Sequence, residues 1–356
     1  MKRSCRLLLS LCFFLTGCAT AQAGPKIIGL AGDLSAGGSV MVLGQGFGGH
    51  SLRTEWLGGP DGPIETTSTG SFFERDGWSV VPFPDKFRPV ISRENAYSGK
   101  QAILFDSVRT GDGRTGLAYD SGGAVTFGYA SWMAYIDTGG AEGQWKMFRL
   151  NWECNVKDTW PELVMFNWFG QVDTLNVRRE KEDRALRFYP SGYPEAGEWV
   201  RLELLLQPSS APGKADGSVE LWVHRPGKEI RQLLSRRGIE TYLPGEERRW
   251  RYFVFQNYLG NGLAGHGRVW IDDLLIQDTP ARVEIGNAPR WSQCRQREVQ
   301  SPRSWQDERI VFSFNPGRLA GDEPLYLYVV DGQGRVNEHG FAIGHRRVLA
   351  ELDPLK

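Results

Sequence analysis

Short apolar segments with polar residues at alternate positions recur along most of the chain. Apolar side chains at every second position are typical of a strand that has one buried face. Between residues 51 and 280 these segments are bounded by Gly, Pro, Asp and Asn, which favour turns. Strands are predicted at residues 102–105, 130–136, 146–153, 163–169, 186–189, 199–206, 219–224, 252–258 and 269–276. Evenly spaced strands in this number favour a sandwich of two sheets.

Both ends of the chain carry the same kind of pattern. Residues 25–30 and 37–48 are predicted to form two short strands around a glycine turn, and further strands are predicted at 281–286, 304–314 and 325–331. The N-terminal pattern ends in Gly-Gln-Gly-Phe-Gly. It resembles the start of IPT/TIG domains, which are small immunoglobulin-like sandwiches, and the C-terminal segments look like the missing strands of such a domain.

The resemblance implies that one domain is interrupted by another. We expect a discontinuous immunoglobulin-like (IPT/TIG) domain of residues 25–50 and 281–345, with a larger domain, residues 51–280, inserted into one of its loops. Insertions of this kind are tolerated where the ends of the insert lie close together. In the alternative interpretation, the N-terminal strands extend the central domain and the C-terminal strands form a separate module.

Four phrases in the insert resemble the concanavalin A-like lectin/glucanase superfamily, particularly its domains related to polysaccharide lyases. They are Tyr-Ser-Gly-Lys at 97–100, Gly-Glu-Trp-Val-Arg-Leu-Glu at 197–203, Asp-Gly-Ser-Val-Glu-Leu-Trp-Val at 216–223 and Trp-Ile-Asp-Asp-Leu at 270–274. The resemblance covers most of the insert, but each of these sequence segments is a signature of the fold and not of a catalytic site. The expected fold class is all-β, a concanavalin A-like jelly-roll sandwich plus a smaller immunoglobulin-like (IPT/TIG) β-sandwich.

Composition and charge narrow the class of partner. The 356 residues include 44 Gly and 19 Pro, and 40% of them are hydrophobic, which suits a folded chain rich in turns. Lys plus Arg and Asp plus Glu balance at 42 each. Since nucleic-acid-binding domains are strongly basic, nucleic acid is not an expected partner.

The N-terminal segment resembles the signal peptide of a bacterial lipoprotein. Basic residues precede an apolar run at 7–15 that is too short to span a bilayer, and Leu-Thr-Gly-Cys follows, ending at Cys18. We therefore expect residues 1–18 to be a lipoprotein signal whose Cys18 carries the lipid. Because Ala19 replaces the aspartate that favours inner-membrane retention in similar proteins, the expected location is the outer membrane of the cell envelope. Ala-Gln-Ala at 21–23 offers the alternative of an ordinary secreted protein.

Two of the five cysteines remain for the folded domains. Cys5 and Cys12 leave with the signal, and Cys18 would be lipidated, so Cys154 and Cys294 remain. A single disulfide between them is one expectation for an oxidising compartment. Two buried free thiols are the alternative.

Strand alternation selects the side chains that could reach a polysaccharide on the concave sheet, where substrates lie in the superfamily that the insert resembles. Aromatic rings cover the apolar faces of sugars, while amides, carboxylates and guanidinium groups bind hydroxyls or uronate carboxylates. The candidate carbohydrate-binding residues are Arg149, Asn151, Glu153, Glu220, Trp222, Tyr252, Gln256 and Tyr258. An ordinary solvated sheet face is the alternative interpretation of each.

Catalysis is left open by the sequence. A lyase needs a cation or amide at the uronate carboxylate and a Tyr or His for proton transfer, roles that Arg149, Gln256, His224 and Tyr258 could fill. However, no contiguous lyase signature appears, and neither does the spaced carboxylate motif of a glycoside hydrolase. A polysaccharide-binding lipoprotein is therefore the leading hypothesis, with a uronate lyase and a structural or adhesion protein as alternatives.

Metal chemistry has little support in the sequence. The five histidines are scattered without the spacing of a zinc site, so no cofactor is expected beyond a structural calcium ion. Asp272 and Asp273 are the candidate calcium ligands, because acidic pairs in this closing strand of similar domains sometimes bind one. Hydrogen bonding at a turn or an edge is the alternative for this pair.

Overall fold

The computed structural model describes residues 24–49, 54–79, 87–110, 114–139, 144–152, 162–168, 174–179, 186–188, 196–260, 266–321 and 324–343. Within these residues the regular structure is mostly β-strand, with one four-residue α-helix, α1 (Ser107–Thr110), and short 3₁₀ helices at Pro63–Thr66, Trp291–Gln293 and Gly317–Leu319. No helix in this part of the chain has the length and apolar character to span a membrane. The predicted all-β fold class is confirmed.

The strands fall into three sheets in the described part of the chain. In chain order they are β1 (Lys26–Gly32), β2 (Ser39–Gln45), β3 (Thr54–Leu57), β4 (Trp78–Ser79), β5 (Val90–Ser92), β6 (Ala102–Asp106), β7 (Arg114–Asp120), β8 (Gly128–Asp137), β9 (Gln144–Asn151), β10 (Glu162–Trp168), β11 (Thr174–Arg179), β12 (Leu186–Phe188), β13 (Trp199–Gln207), β14 (Gly217–His224), β15 (Arg231–Ile239), β16 (Tyr252–Gly260), β17 (Arg268–Gln277), β18 (Arg282–Gly286), β19 (Arg297–Trp305), β20 (Arg309–Ser313), β21 (Leu325–Val330) and β22 (Phe341–Ile343).

The first sheet joins the two ends of the chain. Its order is β1-β2-β20-β19-β18-β21-β22, and β2 pairs with β20 from Ser39–Ser313 to Leu43–Arg309. β19 pairs with β18 along 297–300 and with β20 from residue 301 onward, and its register shifts after Pro302. Because the two halves enclose one apolar core, we call this unit the smaller sandwich. Its membership of the IPT/TIG family stays a prediction.

The second and third sheets form the larger sandwich. The order β12-β11-β10-β9-β16-β7-β4 makes the front sheet, and β15-β14-β13-β8-β17-β6-β5 makes the back sheet, with β3 added beside β17. Their facing sides share a large apolar core. Trp132 of the back sheet stacks on Phe148 of the front sheet with ring centroids 5.4 Å apart. The larger sandwich is therefore a pair of antiparallel sheets packed face to face, and its likeness to concanavalin A-like domains stays a prediction.

The smaller sandwich lies against the outer face of the back sheet. Tyr129 and Leu275 of the back sheet share an apolar cluster with Val299 of β19. The Tyr97 hydroxyl donates to Glu298 across the same boundary, 2.6 Å from Oε1. Because this contact covers part of the back sheet, the outer face of the front sheet is the broad sheet surface on the opposite side of the molecule.

Candidate functional site

The outer face of the front sheet carries several of the predicted binding residues. Along β16, Phe253 and Phe255 belong to the core of the larger sandwich. Since side chains alternate along a strand, Tyr252, Gln256 and Tyr258 point to the outer face. On the neighbouring β9, Arg149 pairs with Val254 and Asn151 pairs with Tyr252, which places both on that face as well.

A break in the alternation of β9 adds a residue that the sequence did not predict. Met147 and Phe148 are both buried in the core, and the register between β9 and β16 shifts at this point. Lys146 therefore joins Arg149 on the outer face. Its Nζ lies 4.5 Å from the centroid of the Tyr258 ring, and Arg149 Cζ lies 5.6 Å from the same centroid. Such cation–π contacts hold both charges beside one aromatic ring.

Three polar side chains on this face are almost inaccessible to solvent. Arg149 is 7% exposed, Gln256 is 3% exposed and Asn151 is 2% exposed. Asn151 Oδ1 and Gln256 Nε2 are buried with no hydrogen-bond partner in the described part of the chain. An unsatisfied buried polar atom costs roughly 1–3 kcal/mol. The unused hydrogen-bonding capacity is thus one acceptor, Asn151 Oδ1, and one donor, Gln256 Nε2.

One end of the face is closed by an ion pair. Arg251 donates from Nε and Nη2 to the two carboxylate oxygens of Asp120, both at 2.6 Å. The Arg251 guanidinium also lies over the ring of Tyr252, with Cζ 5.2 Å from the centroid. The described face thus runs from this paired end to the cations around Tyr258. Within it, Lys146 and Arg149 supply positive charge, while Asn151 and Gln256 supply amides.

The structure does not bring all predicted binding residues to one surface. Glu220, Trp222 and His224 lie on β14, which belongs to the back sheet, whereas Arg149 and Tyr258 lie on the front sheet. The prediction of a single shared face is therefore wrong for these three. Alternation assigns a side chain to one face of its strand, but it does not reveal which sheet contains the strand. Glu153 lies outside the described residues.

His224 is part of a buried ionic cluster, so it does not join the other three proposed lyase residues. Its Nε2 lies 3.0 Å from Glu203 Oε2, and the side chain is 5% exposed. Burial, and then the charge of Arg201, lower the pKa of His224 to about 4. Of the four residues, Arg149, Gln256 and Tyr258 share a face, while His224 contacts groups on the other side of the sandwich.

Asp272 and Asp273 occupy a bulge where β17 changes its partner from β6 to β3. The Asp272 carboxylate accepts hydrogen bonds from the backbone N–H groups of Tyr97, Ser98 and Asp273. Asp273 accepts from Gly59 N, from the Ser98 hydroxyl and from the Asn315 amide. Burial raises the pKa of both carboxyls.

This environment disfavours the predicted calcium site, because every carboxylate oxygen of the pair faces a hydrogen-bond donor instead of a cation. No group of three or more His, Cys, Asp or Glu side chains converges in the described residues. The alternative interpretation of the pair, hydrogen bonding at a bulge, fits the geometry.

Cys294 has no disulfide partner in this structure. The thiol is buried and lies 3.4 Å from the Arg290 carbonyl oxygen and 3.6 Å from the Tyr328 hydroxyl. Burial raises its pKa, so the neutral thiol is favoured. Cys294 is thus a free thiol in the described part of the chain, and the bridge to Cys154 stays a prediction. Cys154 and the lipid acceptor Cys18 lie outside the described residues.

The fold and the front face together define an all-β protein with a polar, cationic surface on the larger of two sandwiches. Peanut lectin matches with a TM-score of 0.39 and 10% identity over 64% of this chain and 97% of that chain. A GlcNAcα1-4Gal releasing endo-β-galactosidase from Clostridium perfringens matches with a TM-score of 0.39 and 9% identity. The match covers 85% of this chain and 97% of that chain. A glycoside hydrolase family protein from Mycobacterium thermorestibile matches with a TM-score of 0.37 and 13% identity, over 64% of this chain and 100% of that chain.

A further match, to a sialidase, covers 67% of this chain but only 21% of that chain, with a TM-score of 0.37 and 11% identity. No protein-family model matches the sequence. No curated protein matches it either.

Proposed function

We propose that this protein binds an acidic polysaccharide, a polymer that contains uronate units, along the outer face of the front sheet. The observation that carries the proposal is the set of buried, unpartnered amide atoms beside two cations and an aromatic ring. Asn151 and Gln256 supply the amides, Lys146 and Arg149 supply the charges, and Tyr258 supplies the ring.

Each of these groups has a counterpart in a uronate polymer. Sugar hydroxyls can satisfy Asn151 Oδ1 and Gln256 Nε2, which removes the cost of leaving them unpaired. The guanidinium of Arg149 can bind a carboxylate through two parallel hydrogen bonds, an arrangement stronger than a neutral hydrogen bond. The ring of Tyr258 can cover an apolar sugar face. A neutral polymer would use the amides and the ring but would offer no carboxylate to the two cations.

The test compares polygalacturonate with the same polymer fully methyl-esterified, by isothermal titration calorimetry. The ester keeps the backbone and the hydroxyls while removing the charge, so it should bind at least about tenfold more weakly. Arg149→Gln should reduce that preference. Arg295→Gln removes an exposed arginine on the smaller sandwich and should leave the preference unchanged. Equal affinity for the two polymers, or equal effects of the two variants, would refute the proposal.

A uronate lyase is the second candidate function, because the Tyr258 hydroxyl lies on the same face as Arg149 and Gln256. In that reaction the Tyr258 phenolate takes the proton from the carbon next to the carboxylate, and a carbon–carbon double bond forms as the bond to the glycosidic oxygen breaks. Tyr258 then returns that proton to the leaving oxygen. The unsaturated product is detected by its ultraviolet absorbance. Tyr258→Phe should abolish product while binding persists. Absence of product from alginate, glucuronan and polygalacturonate would leave binding as the function.

We also propose that the protein is lipid-anchored in the cell envelope through Cys18, in the outer membrane. The support is the Leu-Thr-Gly-Cys sequence directly after the apolar run. Cells grown with an alkyne-bearing palmitate analogue should label the wild-type protein and the Cys12→Ala variant, but not Cys18→Ala. Labelling that survives in Cys18→Ala, or a mature protein that begins after Ala23, would contradict the anchor.

A further inference from the structure

A cleft of about 360 Å³ lies between the two sandwiches, on the side of the molecule opposite the front face. Ligand pockets commonly measure about 300–1,000 Å³. The larger sandwich lines the cleft with Trp222 and Glu220 of β14 and Arg237 of β15. The smaller sandwich lines it with Trp291 and Arg297. Aromatic rings and charges therefore meet from two separately folded units.

The wall of the cleft contains an unequal number of buried charges. Arg201 and Arg282 contact both Glu203 and Glu284, and Arg297 contacts Glu284. Three guanidinium groups thus share two carboxylates. Burial alone would raise the pKa of Glu203, but Arg282 and Arg201 lower it well below its usual range. Burial would raise the pKa of Glu284 too, but Arg201 and Arg282 hold it well below its usual range, so both glutamates are ionised. Among the described ion pairs of the cluster, the guanidinium groups therefore exceed the carboxylates by one positive charge.

Arg297 is the member of the cluster with free hydrogen-bonding capacity. It donates from Nε to Glu284 Oε2 at 2.9 Å, and its Nη atoms have no acceptor in the described part of the chain. The side chain is only 8% exposed. Its guanidinium lies over the ring of Trp291, with Cζ 3.6 Å from the centroid. A buried guanidinium held in this way presents two adjacent N–H donors, which match the two oxygens of a carboxylate.

The opposite wall supplies what a sugar ring needs. Trp222 is half-buried and offers an aromatic surface for the apolar face of a pyranose. Glu220 is held by Arg237, whose Nη2 lies 2.9 Å from Oε1, so its carboxylate can accept sugar hydroxyls without being left unpaired. The cleft thus combines a carboxylate-binding guanidinium, a stacking ring and a hydroxyl acceptor.

We infer that this cleft is a second binding site, which takes one hexuronate unit with its carboxylate on Arg297 and its ring against Trp222. The site is separate from the front face, so it extends beyond the proposed function and does not depend on it. A protein with both sites could hold two segments of an acidic glycan on opposite sides of the larger sandwich.

The test titrates the full protein with glucuronic, galacturonic and mannuronic acid while recording the tryptophan indole N–H signals by NMR. Glucose is the neutral control and acetate is the carboxylate without a sugar ring. Trp222→Phe assigns the Trp222 signal. At least one hexuronic acid should shift that signal, with an affinity at least tenfold above those of glucose and acetate.

Variants separate the cleft from the front face. Trp222→Ala should weaken binding of the acid at least tenfold, and Tyr258→Ala should leave it within twofold. Arg297→Lys keeps a positive charge beside Glu284 but loses the paired donors, so it should weaken binding with little loss of stability. The inference is overturned if no hexuronic acid shifts the Trp222 signal, if glucose or acetate binds equally well, or if Tyr258→Ala rather than Trp222→Ala removes binding.

Discussion

Arg201 of the larger sandwich donates a hydrogen bond to Glu284 of the smaller sandwich, with Nη2 3.0 Å from Oε1. The two side chains are 4% and 0% exposed, so this ion pair is buried at the boundary between the two units. Charges removed from water require partners, because an uncompensated buried charge is very costly. The orientation of the two sandwiches is thus linked to the completeness of one cluster.

Loss of the Glu284 charge should destabilise the protein strongly. Glu284→Gln would leave three buried guanidinium groups with one carboxylate, and breaking a buried pair costs about 3–5 kcal/mol. Urea unfolding followed by circular dichroism measures the change. Glu94→Gln removes a carboxylate that is 60% exposed and paired with Arg268, so it should cost less than about 1 kcal/mol. Similar losses in both variants would contradict the central role of Glu284.

Glu298 should make the protein less stable as the pH rises. Burial raises its pKa from 4.5 to about 7 in the folded state, so folding favours the protonated carboxyl. Its stabilising contribution is present below pH 4.5 and is lost as the pH rises through about 7. Glu298→Gln keeps an acceptor for the Tyr97 hydroxyl but cannot ionise.

The variant should therefore gain stability relative to the wild type between pH 4 and pH 8, by an amount on the order of 3 kcal/mol. Unfolding midpoints measured at intervals across this range give the comparison. Parallel curves for the two proteins would show that Glu298 ionises normally.

His224 should act in the opposite direction. Its pKa falls from 6.5 to about 4 on folding, chiefly because the ring is buried, so the folded state favours the neutral form. The stability that this provides is present above pH 6.5 and is lost as the pH falls toward 4. His224→Gln can still donate to Glu203 and should lose less stability between pH 7.5 and pH 4. If the stability of the variant falls between pH 7.5 and pH 4 as steeply as that of the wild type, the lowered pKa of His224 would be contradicted.

The sequence predicted much of the strand pattern because alternation follows directly from burial. In the predicted strand at 219–224, alternation leaves Val219, Leu221 and Val223 on the face opposite Glu220 and Trp222, and all three are buried in the core. β15 was not predicted, since its exposed charged residues, such as Arg231 and Arg237, mask the alternation of an edge strand.

The candidate site was less accessible to the same reasoning. Tyr258 and Trp222 have similar patterns around them, yet they lie on different sheets, because sheet membership depends on long-range pairing that no local pattern encodes. Lys146 was missed because the register shift beside Met147 reverses the alternation. The cluster around Arg201 also escaped prediction, since β13 lies far in the sequence from β18 and β19, which supply the other members.

Gly58 should be irreplaceable at the bulge that holds the two buried aspartates. Its φ of +133° is a conformation that residues with a side chain rarely adopt, and an added Cβ would lie 2.4 Å from the backbone nitrogen of Asp273. Gly58→Ala would therefore require the bulge to move, and the hydrogen bonds from Gly59 and Ser98 to Asp273 would be lost with it.

Gly122→Ala is the matched control, since its φ is +75° and nothing lies within 4 Å of the added carbon. The control should cost about 1–2 kcal/mol from backbone strain alone, and Gly58→Ala should cost clearly more in the same urea titration. Equal costs would mean that the close approach to Asp273 does not constrain this turn.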